Sequence, residues 1–206
     1  MGGPLERGRG MPRESGGGRL FIVSAPSGAG KSTLCRRLLA RRPELRYSVS
    51  TTTRPPRSGE VPGVDYHFTD PATFKAGIRA GRWAEWAEVY GNYYGTSADY
   101  IDRERAAGHD VLLDIDVQGA AQLRAKYPEA VTIFIMPPSM DVLRQRLERR
   151  GGDAPEVIAK RMASARQEMA QRTAYRHVVV NDRLEEAVAA LERLVRDDAQ
   201  IKRHDV

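Results

Sequence analysis

The stretch APSGAGKST at residues 25–33 constrains the fold of this chain more than any other. It follows LFIVSA, a short apolar run rich in aromatic and β-branched residues, and it opens STLCRRLLARR, whose apolar positions recur at helical spacing. A strand that turns through a Gly-rich loop into a helix leaves successive backbone N–H groups and the positive end of the helix converging on one point, where a polyphosphate can sit. Ala25, Pro26, Ser27, Gly28, Ala29, Gly30, Lys31, Ser32 and Thr33 are therefore predicted to hold a nucleoside triphosphate. Lys31 is placed to reach the β- and γ-phosphates, and the Ser32 hydroxyl to ligate Mg²⁺. Gly28 and Gly30 permit close approaches that a side chain would block. The usual pattern begins with Gly where this chain has Ala25, which must hold a conformation that Gly adopts more freely.

Beyond the loop, strand-like runs alternate with helical ones. VLLDID, VTIFIM and HVVVN read as further buried strands, and residues 98–107, 118–126, 140–150, 155–172 and 184–203 as helices. Such alternation predicts an α/β protein, a phosphate-loop parallel sheet covered by helices on both faces. Two segments break the pattern, a polar and irregular stretch of about 50–96 and a short one of about 150–157. They are expected to be an inserted subdomain for the second substrate and a lid, on a core of 19–49, 97–149 and 158–206. Residues 1–18 are rich in Gly, Pro and charge with almost nothing to bury and read as a disordered tail, with Met11 as a second candidate start.

The chain of 206 residues is 41% hydrophobic and 29% charged, as one soluble domain would be. No stretch approaches the roughly 20 apolar residues that a membrane span needs. A lone cysteine, Cys35, makes no intramolecular disulfide and, with scattered histidines, no zinc-ligand spacing, so a reducing, cytoplasmic setting is expected. A net charge of +6 and a pI of about 9.7 suggest anionic partners, which phosphates on a small molecule satisfy as well as nucleic acid does.

The loop fixes a phosphate donor and leaves the acceptor open. Arg54 and Arg57 lie three apart around two prolines that stiffen the segment, a suitable fork for a phosphate monoester. Tyr66 and Tyr94 can each donate a hydroxyl to that phosphate. Glu85 and Asp116, facing one pocket, would be acceptors with no donor to offer. Guanine presents two adjacent donors, N1–H and its exocyclic amine, whereas adenine presents an acceptor at N1. A carboxylate there accepts the first and repels the second, and discrimination of roughly 10⁴ or more is feasible at such sites.

VSTTTRPPRSGEVPGVDYHF, GNYYGTS and LDIDVQG, with the phosphate loop and the late VVVND, resemble the guanylate kinases, nucleoside monophosphate kinases that make GDP from GMP and ATP. The resemblance runs from residue 19 to about 203. It implies that Ser50, Arg54, Arg57, Tyr66, Glu85, Tyr94, Thr96 and Asp116 hold GMP or dGMP. Arg54, Arg57, Tyr66 and Tyr94 take the phosphate, and Ser50, Glu85, Thr96 and Asp116 read the base. It implies ATP on the loop residues with Asn181 and Asp182 bordering the adenine, and Asp114 with Ser32 as the Mg²⁺ pair, Asp114 through water. It also implies Arg146, Arg150 and Arg161 as lid arginines that act with Lys31 and Arg54 in catalysis, Arg149 being the alternative to its neighbour Arg150.

Other features read blandly. Trp83 and Trp86 are expected to pack the small subdomain, and His67, His109 and His177 lack recognisable triad partners. Two functions of other classes compete. One is a related scaffold module that binds phosphorylated peptides in the former GMP site, in which the phosphate loop is typically degraded; here Gly30-Lys31-Ser32 is intact. The other, nucleic-acid binding as a primary role, finds no reading helix or aromatic RNA-binding pattern.

Overall fold

All five residues of β1 (Leu20–Ser24) are buried, a pattern that strict inside–outside alternation cannot produce and that a sheet covered on both sides requires. The structure is a computed structural model describing residues 17–89, 91–149 and 154–201. Most of the expected tail, Arg150 and the first part of the expected lid lie outside the described residues. After β1 come α1 (Lys31–Arg41), β2 (Arg46–Tyr47), β3 (Thr51–Thr52), β4 (His67–Phe68), α2 (Pro71–Arg79), β5 (Trp83–Val89), β6 (Asn92–Ser97) and α3 (Ala98–Ala106). Then follow β7 (Val111–Asp114), α4 (Val117–Lys126), β8 (Val131–Met136), α5 (Met140–Arg149), α6 (Pro155–Ala170), a 3-10 turn, β9 (His177–Val180) and α7 (Leu184–Ile201).

Five strands form a wholly parallel sheet in the order β2-β7-β1-β8-β9. Alternate residues of each strand supply two cores. Phe21, Val23, Leu112 and Ile133 pack against Leu34 and Leu38 of α1 and Val188 and Leu191 of α7. Leu20, Ile22, Leu113 and Phe134 face the other way, against Ile101 of α3 and Leu123 of α4. At about 2 kcal/mol for each large apolar side chain removed from water, this pair of layers dominates the fold's stability. A smaller cluster, Leu143 and Leu147 with Met162 and Ala165, joins α5 to α6. The doubly covered parallel sheet expected from the alternating pattern is thus present.

The segment read as irregular, 50–96, is built instead as a second sheet, β4-β3-β6-β5, with α2 beside it. β3 and β4 have two residues each, too few for any periodicity to register. α2 did carry a sequence signal: Asp70 caps it by accepting from the Thr73 N–H at 2.9 Å, and Pro71 occupies its first turn. Trp83 stacks on Phe74 with centroids 4.5 Å apart, while Trp86 is 38% exposed beside Tyr93 rather than packed inside. The second sheet is moored to the core through β5 and α4, where Gln122 accepts from the Trp86 N–H at 3.2 Å and donates to its carbonyl at 2.8 Å. Among the described residues no helix is long and apolar enough to cross a membrane.

Candidate active site

The phosphate loop connects β1 to α1 at the C-terminal edge of the sheet. Gly28 and Gly30 adopt φ of 92° and 91°, the left-handed region that only glycine enters without strain. A side chain at Gly28 would also come within 2.8 Å of Leu147, so α5 closes the back of the loop. Ala25, at the position where glycine is usual, buries its methyl group in the core cluster beside α1. α2, α3 and α4 are capped by Asp70, Ser97 and Asp116, whereas no side chain caps α1. Its first-turn amides are therefore left for an anion. Residues 25–28 and 30–33 line a cavity of about 570 Å³, with Arg161, Ser164 and Glu168 of α6 on the facing wall.

A second cavity of about 580 Å³ lies between the loop and the small sheet, lined by Ser50, Tyr66, Glu85, Tyr94, Asp114 and Asp116 among others. The two cavities share Lys31, Ser32, Val89 and Asp116. Lys31 sits at this junction with its ammonium paired to Asp114 and donating to the Ile115 carbonyl at 2.8 Å. Burial opposes its charge, yet the attraction and hydrogen bond of Asp114 outweigh that and hold its pKa above the ordinary value.

Glu85, 6% exposed, projects from β5 on the same face as Ala87 and Val89, which also line the second cavity. Thr96 on the neighbouring strand donates its hydroxyl to Glu85 Oε1 at 2.6 Å. Thr96 is fully buried and acts here by fixing that carboxylate. Asp116 caps α4 by accepting from the Gly119 N–H at 2.8 Å. A Cβ at Gly119 would stand 2.4 Å from Glu85 Oε2, so this glycine leaves the room the carboxylate occupies. Burial, reinforced by the nearby Asp116 charge, pushes the Glu85 carboxyl up to about 7 against the opposing pull of the Thr96 hydrogen bond and Lys31. The site therefore presents two acceptors, one of which is reluctant to ionise until a donor reaches it.

The expected arginines divide. Arg54 lies over the Tyr66 ring at 5.4 Å and donates to Glu60 at 2.7 Å. Arg57 is exposed, and neither Arg54 nor Arg57 is among the residues lining the two cavities. Arg161 is on the wall of the first cavity. Arg146, anticipated on a lid, braces the loop from behind: α5 is packed on the loop through Leu143 and Leu147, so Arg146 donates to the Asn181 carbonyl at 2.8 Å and the Ala29 carbonyl at 3.4 Å. Asn181 does the same, its buried amide donating to the Ala29 carbonyl at 2.7 Å, and neither residue lines either of these two cavities. Asp182 is exposed just past β9. Sequence reasoning missed Glu60, Gly119 and Glu168. Only Gly119 left a trace, as the third residue after the cap Asp116 in DVQG.

The family model described as guanylate kinase matches residues 17–198. The chain belongs to the guanylate kinase family. It is 54% identical over 178 residues to a guanylate kinase of Neisseria gonorrhoeae, covering 86% of this chain and 87% of the relative. Against a guanylate kinase of Symbiobacterium thermophilum it is 50% identical over 178 residues, covering 86% and 84%. The crystal structure of guanylate kinase from Anaplasma phagocytophilum superposes with a TM-score of 0.75 at 34% identity, covering 89% of this chain and 87% of that one. The first cavity and the second adjoin at Lys31.

Proposed function

We propose that this chain transfers the γ-phosphoryl group of ATP to GMP or dGMP, giving ADP and GDP or dGDP, in a reducing cytoplasm as part of purine nucleotide recycling. The observation that carries the reading is the meeting of two cavities at Lys31, Ser32 and Asp116, one walled by uncapped helix amides and the other by the carboxylates of Glu85 and Asp116.

The acceptor oxygen is already anionic, so the reaction needs no general base, and the protein's task is alignment and neutralisation of charge. The loop amides and Lys31 hold the triphosphate. Arg161 faces it from α6, and Arg150 is assigned the same task from the lid. Arg54, Arg57, Tyr66 and Tyr94 hold the acceptor phosphate, while Glu85 and Asp116 accept from the guanine edge, with Ser50 beside them and Thr96 fixing Glu85. Among the described residues no cluster of histidine, cysteine or carboxylate side chains could hold a metal by itself. Ser32 and Asp114 beside Lys31 do suit a Mg²⁺ that arrives on the triphosphate and keeps most of its water. Bound there, Mg²⁺ would neutralise charge on the β- and γ-phosphates. Residues 50–96 and 150–157 are the segments that would close over the nucleotides and exclude water.

A phosphopeptide-binding module is the competing reading, and the built phosphate loop argues against it. The deciding experiment is ADP release from ATP with GMP, dGMP, AMP, CMP and UMP as acceptors. GMP and dGMP should support turnover and the others should not. Equal rates with AMP would refute the carboxylate reading, and no turnover with any of them would refute the kinase.

A further inference from the structure

The acceptor cavity contains a carboxylate for which phosphoryl transfer has no use. Glu60 follows Arg57 on the loop between β3 and β4 and lines the cavity with Tyr66 and Tyr94. Its Oε1 accepts from Arg54 Nη2 at 2.7 Å, and its Oε2 accepts from the backbone N–H of Arg57 at 2.7 Å. One anion thus engages donors from both residues of the fork, as the oxygens of a phosphate monoester would. The Arg54 and Glu60 side chains are only 12% and 19% exposed, so this pair is better shielded than an ordinary surface bridge. The hydrogen bonds from Arg54 and from the Arg57 backbone hold the Glu60 carboxyl below its usual range, and it is ionised at neutral pH.

We propose that Glu60 is an internal stand-in for the acceptor phosphate, neutralising the fork while it is empty and yielding contacts when substrate arrives. This deepens the acceptor reading above and rests on it. A phosphate monoester carries about −1.5 to −2 and three acceptor oxygens, so it outcompetes a single carboxylate. It does so only by the difference between the two, which makes GMP bind more weakly than to an uncontested fork and lets the diphosphate product leave sooner. A nucleoside without phosphate leaves Glu60 in place. If Glu60 served only to aim Arg54, its removal would have the opposite sign and weaken GMP.

The test is isothermal titration of wild-type protein and Glu60→Gln with GMP and with guanosine, alongside KM for GMP and kcat. Neutral glutamine should tighten GMP about five-fold, leave guanosine unchanged, and lower KM and kcat together. Glu60→Asp keeps the charge on a stem too short to span both donors and should fall between the two. If the glutamine variant melts early, the aspartate variant decides by the same comparison. Unchanged or weaker GMP binding, or equal tightening of guanosine, overturns the proposal while wild-type turnover leaves the kinase reading standing. A wild-type protein that does not phosphorylate GMP brings down both.

Discussion

GMP affinity should fall in mild acid because of one buried side chain, Glu85. In the empty protein its carboxyl is pushed up to about 7, chiefly by burial, and only the ionised form can accept from both guanine donors. At pH 8 about nine molecules in ten carry the competent form, and at pH 6 about one in ten. Apparent affinity scales with that fraction, so GMP should bind about ten-fold more weakly at pH 6 than at pH 8. The GMP phosphate itself titrates near pH 6 and contributes a separate, smaller loss. Glu85→Gln isolates it, since the variant binds GMP weakly but keeps only the phosphate component. Titration calorimetry at half-unit steps from pH 6 to 8, on both proteins, measures the difference. The stability of the empty protein moves the opposite way. A carboxyl raised on folding stabilises fully below its unfolded value of 4.5, and that contribution is lost as pH climbs to about 7. At about 1.4 kcal/mol per pH unit the loss amounts to about 3 kcal/mol, visible as a lower Tm at pH 8 than at pH 5 relative to Glu85→Gln. Parallel pH curves for the two proteins would refute the argument.

Lys31→Ala should reduce kcat by about 10³ or more, because it removes the cation at the junction of the cavities. Its Tm should drop as well, since the buried Asp114 carboxylate loses its partner; assays well below the transition separate the two effects, and near wild-type kcat would exclude Lys31 from the mechanism. Gly119→Ala puts a methyl group where Glu85 Oε2 now lies and should raise KM for GMP more than ten-fold while leaving ATP binding within two-fold, by roughly the cost of displacing one hydrogen-bonded carboxylate. Asn181→Ala leaves the Ala29 carbonyl short of a donor and should raise KM for ATP several-fold with little change for GMP; equal changes for both substrates would refute the bracing role.

The phosphate loop was legible because its function is written in backbone conformation, and the two positive-φ positions can be read as glycines in the chain. Glu85 was legible from the chemistry of its carboxylate and from the family resemblance, not from its strand; only the structure puts it with Ala87 and Val89 on one cavity wall. What escaped are pairings between distant side chains that no period encodes. Arg146 and Arg54 look alike as unpaired guanidinium groups in the sequence. The first is engaged by Asn181 and Ala29 because α5 packs on the loop, and the second by Glu60 because the β3–β4 loop folds back. The small sheet escaped because its shortest strands carry two residues and the burial along β5, broken by a register shift after Trp83, does not follow a clean period of two. The two arginines escaped for one cause. An empty site built from many cations must satisfy them with the protein's own oxygens, so the substrate's future partners are hidden in internal bonds. Asp114 on Lys31 and Glu60 on Arg54 are two instances in one crevice, and each bond must be exchanged, not merely formed, when a nucleotide binds.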